Sequence, residues 1–138
     1  KIEYYGTITP LSVARRFLVT TTVSNYALFG GGYSGTYAGT VDSYDSNLTR
    51  GTPSSLRAAR TELAATTVGN YALFGGGRAD SYQSAVDSYD SNLTKGTAPQ
   101  LSVARSYLAA TTVSNYALFG GGFSGTFKGT VDAYTLVE

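Results

Sequence analysis

The heptapeptide Tyr-Ala-Leu-Phe-Gly-Gly-Gly occurs three times in this chain, at residues 26–32, 71–77 and 116–122, always 45 residues apart. That period constrains the fold more than any composition does. It is the length of one stacked β unit, such as a propeller blade, which cannot bury its apolar face alone. The repeat divides the single array into units at 11–55, 56–100 and 101–138. Residues 1–10 align with the end of a unit, because Gly6-Thr7 falls on Gly51-Thr52 and Gly96-Thr97. They read as an outer strand without its own blade.

Within each unit four short strands are expected. The first spans 17–23, 62–68 and 107–113, segments rich in Thr, Val and Ala, which suit a pleated surface. Ser24-Asn25, Gly69-Asn70 and Ser114-Asn115 follow; a two-residue link of this kind is a primed-turn hairpin. The Tyr-Ala-Leu-Phe segment is the second strand. Gly30, Gly31, Gly75, Gly76, Gly120 and Gly121 then end it, as structural positions where backbones approach closely. Loops at 33–40, 78–85 and 123–130 lead to third strands at 41–45, 86–90 and 131–135. Turns at Ser46-Asn47 and Ser91-Asn92 lead to outer strands near 48–52 and 93–97, and Pro53 and Pro99 mark the exits. The third unit stops before an outer strand. No segment has helical periodicity, so the expected class is all-β.

Composition removes several functions. The chain has no His, Cys, Met or Trp and a net charge of +1. Thiolate nucleophiles, Cys-based zinc sites and a His base are therefore excluded. No basic patch invites nucleic acid, and no apolar run approaches the roughly 20 residues of a membrane span. No cofactor or metal is expected, since the Asp spacing fits no calcium loop. The first residue is Lys rather than Met, which suggests a processed or excerpted chain. Thr/Tyr/Gly-rich repeats without Cys favour an extracellular, cell-surface or virion-surface location. Asn47-Leu48-Thr49 and Asn92-Leu93-Thr94 have glycosylation-type spacing.

Residues shared by every unit are expected to serve the scaffold. Arg15, Arg60 and Arg105 recur with Asp42, Asp87 and Asp132; a planar guanidinium against a carboxylate or loop carbonyls is a structural staple. Asp45 and Asp90 precede Ser-Asn and suit Asx-type turns. Recognition is expected where the units differ, because loops carry function on a common scaffold. One such place is the pair after each repeat Arg: Arg16-Phe17, Thr61-Glu62 and Ser106-Tyr107. The other is the loop after the glycines. The candidate ligand-binding residues are Arg16, Phe17, Tyr33, Glu62, Arg78, Asp80, Tyr107, Phe123 and Lys128. Tyr37, Tyr82 and Phe127 share one position and either pack against neighbours or join the site.

The chain resembles kelch repeats. The resemblance rests on Arg15 before the first strand, Gly30-Gly31 after the second and Val41-Asp42-Ser43-Tyr44-Asp45 in the third, with matching residues in the other units. The outer-strand Trp of that family is missing; Leu48 and Leu93 stand near its place. The resemblance implies a β-propeller of four-stranded blades. It also implies that the residue two after each repeat Arg, namely Phe17, Glu62 and Tyr107, reaches the ligand on one face. Three blades are half a ring. The expected partner is a second copy, forming a six-bladed homodimer in which each N-terminal segment completes the other chain's last blade. The expected function is a non-catalytic module binding a glycan or a protein. Alternatives are a structural surface repeat or fibre, a designed symmetric propeller, and a sugar-modifying kelch-like enzyme with Glu62 as its acid.

Overall fold

The computed structural model describes residues 1–137, and its secondary structure is all β. The first sheet holds β1 (Val19–Val23), β2 (Tyr26–Gly30), β3 (Val41–Tyr44) and β4 (Arg50–Gly51). The second holds β5 (Ala64–Val68), β6 (Tyr71–Gly75), β7 (Val86–Tyr89) and β8 (Lys95–Ala98). The third holds β9 (Ala109–Val113), β10 (Tyr116–Gly120) and β11 (Val131–Thr135). In each sheet the strands follow chain order and pair antiparallel. The three blade-like sheets stand side by side, with β1, β5 and β9 bordering one groove.

Local chemistry explains the hairpins. Val23 pairs with Tyr26 across two residues, and the first of the two has positive φ: Ser24 at 53°, Gly69 at 56° and Ser114 at 52°. That geometry matches the right-handed twist of the strands. Asp45 Oδ1 accepts hydrogen bonds from the Asn47 N–H at 2.9 Å and the Thr49 N–H at 3.0 Å, bending the chain into β4. Asp90 repeats the device before β8. In the third unit Thr135 and Leu136 replace the Asp-Ser pair. Thr135 Oγ1 donates to the Asn115 carbonyl at 2.9 Å, and Leu136 lies against Gly69 in the turn of the second sheet. Hence β11 runs on straight, and its outer edge has no partner among the described residues.

Two core clusters lie between the sheets. Val23, Leu28 and Val41 meet Leu56, Leu63, Ala72, Phe74 and Tyr89. The same positions one unit later form the second cluster, including Leu73, Val86, Leu101, Leu108 and Phe119. Glycine makes this approach possible. A Cβ on Gly30 would stand 2.7 Å from the Phe74 ring, and one on Gly75 2.9 Å from the Phe119 ring. Tight interlocking of this kind is what interiors require.

Several strand boundaries differ from expectation. The first strands begin at Val19, Ala64 and Ala109, two residues late, because Phe17, Glu62 and Tyr107 have φ of 58°, 59° and 57°. The outer strands are short, at Arg50–Gly51 and Lys95–Ala98. Residues 1–8 pair with no sheet of this chain, and Ile2, Tyr4 and Tyr5 are exposed.

Candidate functional site

The repeated Arg residues are committed inside the sheets. Arg60 is fully buried. Its Nε donates to the Gly76 carbonyl at 2.7 Å, and Nη2 donates to the Phe74 carbonyl at 3.0 Å. Its Nη1 donates to the Ala58 carbonyl and to Asp87 Oδ2, both at 3.0 Å. Arg15 and Arg105 hold the equivalent carbonyls and Asp42 or Asp132. Burial pulls the Arg60 guanidinium below its ordinary value, against the opposing pull of Asp87. A fork that satisfies several carbonyls at once is a task for Arg rather than Lys.

The variable residues lie together elsewhere. After each staple the chain turns at positive φ and forms bridges with the loop behind the glycines: Arg16 with Tyr33, Thr61 with Arg78, and Ser106 with Phe123. Tyr37, Tyr82 and Phe127 bridge back to those loop residues. Between the first two sheets this builds a cleft lined by Arg16, Phe17, Tyr33, Tyr37, Glu62 and Arg78, among others. Arg78 Nε donates to Glu62 Oε1 at 2.7 Å; the Glu62 side chain is 2% exposed and that of Arg78 42%. Arg78 Nη1 also reaches the Tyr37 hydroxyl at 3.4 Å. The hydrogen bond to the Glu62 carboxylate raises the Arg78 pKa further above its ordinary value. On the opposite wall the Arg16 guanidinium stands 5.1 Å from the Phe17 ring centroid and 5.9 Å from that of Tyr33, within cation–π range.

Phe17, Glu62 and Tyr107 are also linked through the backbone. The Glu62 N–H donates to the Phe17 carbonyl at 3.4 Å, and the Tyr107 N–H to the Glu62 carbonyl at 2.9 Å. A second groove passes over these three residues. Of the nine candidates, five line the first cleft: Arg16, Phe17, Tyr33, Glu62 and Arg78. Tyr107 belongs to the second groove. Phe123 meets Tyr82 and Phe127 edge-on or tilted. Asp80 sits exposed at a loop tip and does not line the cleft. Lys128 Nζ donates to Thr126 Oγ1 in its own loop. The Glu62–Arg78 pair was not foreseen as a pair. Its signal is in the repeat: both positions are aromatic in the other units, Phe17 with Tyr33 and Tyr107 with Phe123, and both change together in the second.

The fold and cleft thus define an all-β chain of three blade-like sheets with a mixed aromatic and charged cleft between neighbours. No known family profile matches the chain, and no curated protein matches it. Among solved structures it is similar to that of YjhT, with a TM-score of 0.79 and 16% sequence identity over 94% of this chain and 44% of that one. The chain therefore spans less than half the length of YjhT, and at this identity the likeness is one of fold alone.

Proposed function

We propose that the three sheets are blades of a kelch-type β-propeller and that the chain is a non-catalytic binding module. Two copies complete a six-bladed ring, and the clefts between blades present aromatic and charged side chains to a glycan. The observation that carries this reading is the division of labour among residues. Those repeated in every unit are engaged inside the scaffold, whereas five of the nine that vary line one cleft and Tyr107 lines the neighbouring groove. Aromatic rings supply contact area at low entropic cost, and Arg adds direction. The enzyme reading is weaker, because Arg78 holds Glu62 Oε1 and the Glu62 side chain is only 2% exposed to a substrate. A general base needs a free lone pair aimed at substrate.

The test is an array of neutral and acidic glycans probed with labelled protein. Binding should fall about tenfold or more in Tyr107→Ala and Arg78→Ala if these are anchor residues, with unchanged circular dichroism. Binding to a protein array alone would move the assignment to a protein ligand. Sugar turnover lost in Glu62→Gln would replace the reading with an enzyme. Filaments by electron microscopy, with no ligand on either array, would replace it with a structural role.

A further inference from the structure

Neighbouring sheets join through one set of contacts, used twice. The Gly32 N–H donates to the Arg60 carbonyl at 2.9 Å, and Gly77 to Arg105 at 2.8 Å. The Arg60 N–H donates to the Ala38 carbonyl and the Arg105 N–H to that of Gln83, both at 3.1 Å. Phe74 covers Gly30 and Leu63 covers Gly31; Phe119 and Leu108 do the same at Gly75 and Gly76.

The third sheet offers the same surface uncovered. A Cβ on Gly120 would meet only Val131, and one on Gly121 only the Lys128 carbonyl at 3.9 Å. Val113 is 56% and Val131 62% exposed, whereas Val68 and Val86 are 6% and 0%. The first sheet offers the other half. Leu18 and Phe29 are partly exposed and so is the main chain of Arg15, whose side chain is covered, while their counterparts Arg60, Leu63 and Phe74 are buried. The two open faces are therefore the two halves of one junction.

The N-terminal segment points the same way. Thr9 and Pro10 are fixed to the first sheet, since Tyr44 donates its hydroxyl to the Thr9 carbonyl at 2.8 Å and Arg50 donates to the Pro10 carbonyl at 2.7 Å. The second sheet holds Ser54 and Ser55 identically, through Tyr89 and Lys95. There, the strand just before those residues, β4, belongs to the preceding sheet. By the same logic residues 5–8 belong to a sheet preceding the first.

We infer that a second copy docks its first sheet on the third sheet of this one, with its Phe29 on Gly120 and its Leu18 on Gly121. Its residues 5–8 pair with β11 in the register Tyr5–Tyr134, Gly6–Ala133, Thr7–Asp132 and Ile8–Val131, by the pairing of β7 with β8. This rests on the ring proposed above and specifies its seam. The seam also makes a cleft that neither copy has alone. Tyr107, Phe123 and Phe127 of one copy face Arg16, Phe17 and Tyr33 of the other. Where the intrachain cleft has the Glu62–Arg78 pair, the seam cleft has aromatic rings, leaving Arg16 as its cation without a carboxylate opposite.

Light scattering of the full chain should give twice the 14.4 kDa chain mass. Val131→Asp should give 14.4 kDa with an unchanged circular dichroism spectrum, because Val131 is exposed in the single chain. The double variant Ile8→Cys/Val131→Cys provides a separate measure. The chain has no other Cys, and directly paired strand residues are within disulfide reach. Oxidation should yield a covalent dimer that reductant returns to single chains. A wild-type monomer at all concentrations overturns both the seam and the ring. A wild-type dimer that survives Val131→Asp, or a disulfide that closes within one chain, overturns this seam while leaving dimerisation itself standing.

Discussion

Replacing Arg60 with lysine keeps the charge and removes the fork. Arg60 donates to four carbonyls, of Ala58, Phe74, Gly76 and Ala85, and to Asp87 from a site with no solvent access. An ammonium at the end of a lysine stem can reach Asp87 and one carbonyl, but not both sides of the fork. At least two buried carbonyls lose their donor, at about 1–3 kcal/mol each. The net expected loss for Arg60→Lys is therefore about 2–6 kcal/mol, against a total stability of about 5–15 kcal/mol for a domain. Arg60→Met removes the charge as well and leaves the buried Asp87 only Arg57, whose Nε stands 3.5 Å from Oδ1 and whose N–H donates to Oδ2 at 3.3 Å, so its loss should reach the upper end of that range or prevent folding. The assay is urea unfolding followed by far-ultraviolet circular dichroism. With an m-value of about 2 kcal/mol/M, a 3 kcal/mol loss moves the midpoint down by about 1.5 M. Arg60→Lys unfolding within about 0.5 kcal/mol of wild type would refute the staple argument. So would Arg60→Met proving the milder of the two.

Other predictions follow from the same contacts. Gly76→Ala should lower the urea midpoint by about 1–3 kcal/mol equivalent, because its φ is +72° and its Cβ would stand 2.9 Å from the Arg105 carbonyl. Gly125→Ala, at φ +89° with nothing within 4 Å, should cost less. Ser114→Gly relieves a positive φ of 52° at an exposed hairpin turn and should raise the melting temperature by a few degrees, for a gain of about 0.5–1 kcal/mol. Burial pushes the Tyr134 hydroxyl from 10.0 up to about 12. A raised folded pKa means stability that is whole below pH 10.0 and is lost as pH rises towards about 12; melting against pH should lose this alkaline slope in Tyr134→Phe. At the acid end, burial pushes the Asp132 carboxyl up, but hydrogen bonds from Ser102 and the Arg105 guanidinium prevail and hold it below its ordinary value. That contribution is present above about pH 4 and is lost as pH falls below it, and Asp132→Asn should flatten the acid limb.

The strand order, the hairpins and the scaffold roles of Arg and Gly were legible in the chain because they are local or repeated. A two-residue link fixes its own turn, and a period of 45 residues fixes which positions are equivalent. Strand starts were misplaced by two residues for a non-local reason. Phe17, Glu62 and Tyr107 look β-prone, yet each is drawn into positive φ where its backbone bonds to its counterpart in a neighbouring sheet. The cleft was half legible. Variation among units marked its residues, but only the fold could set Glu62 against Arg78 at 2.7 Å and leave Asp80 outside.

The sequence by itself determined the repeated unit: its strands, its turns and the small residues at which units touch. Tertiary structure alone decided what each copy of that unit meets. Phe29, Phe74 and Phe119 sit in identical heptapeptides, yet Phe74 and Phe119 are sealed and Phe29 is not. A repeat encodes the shape of a surface in every copy alike, whereas burial depends on which neighbour stands against it.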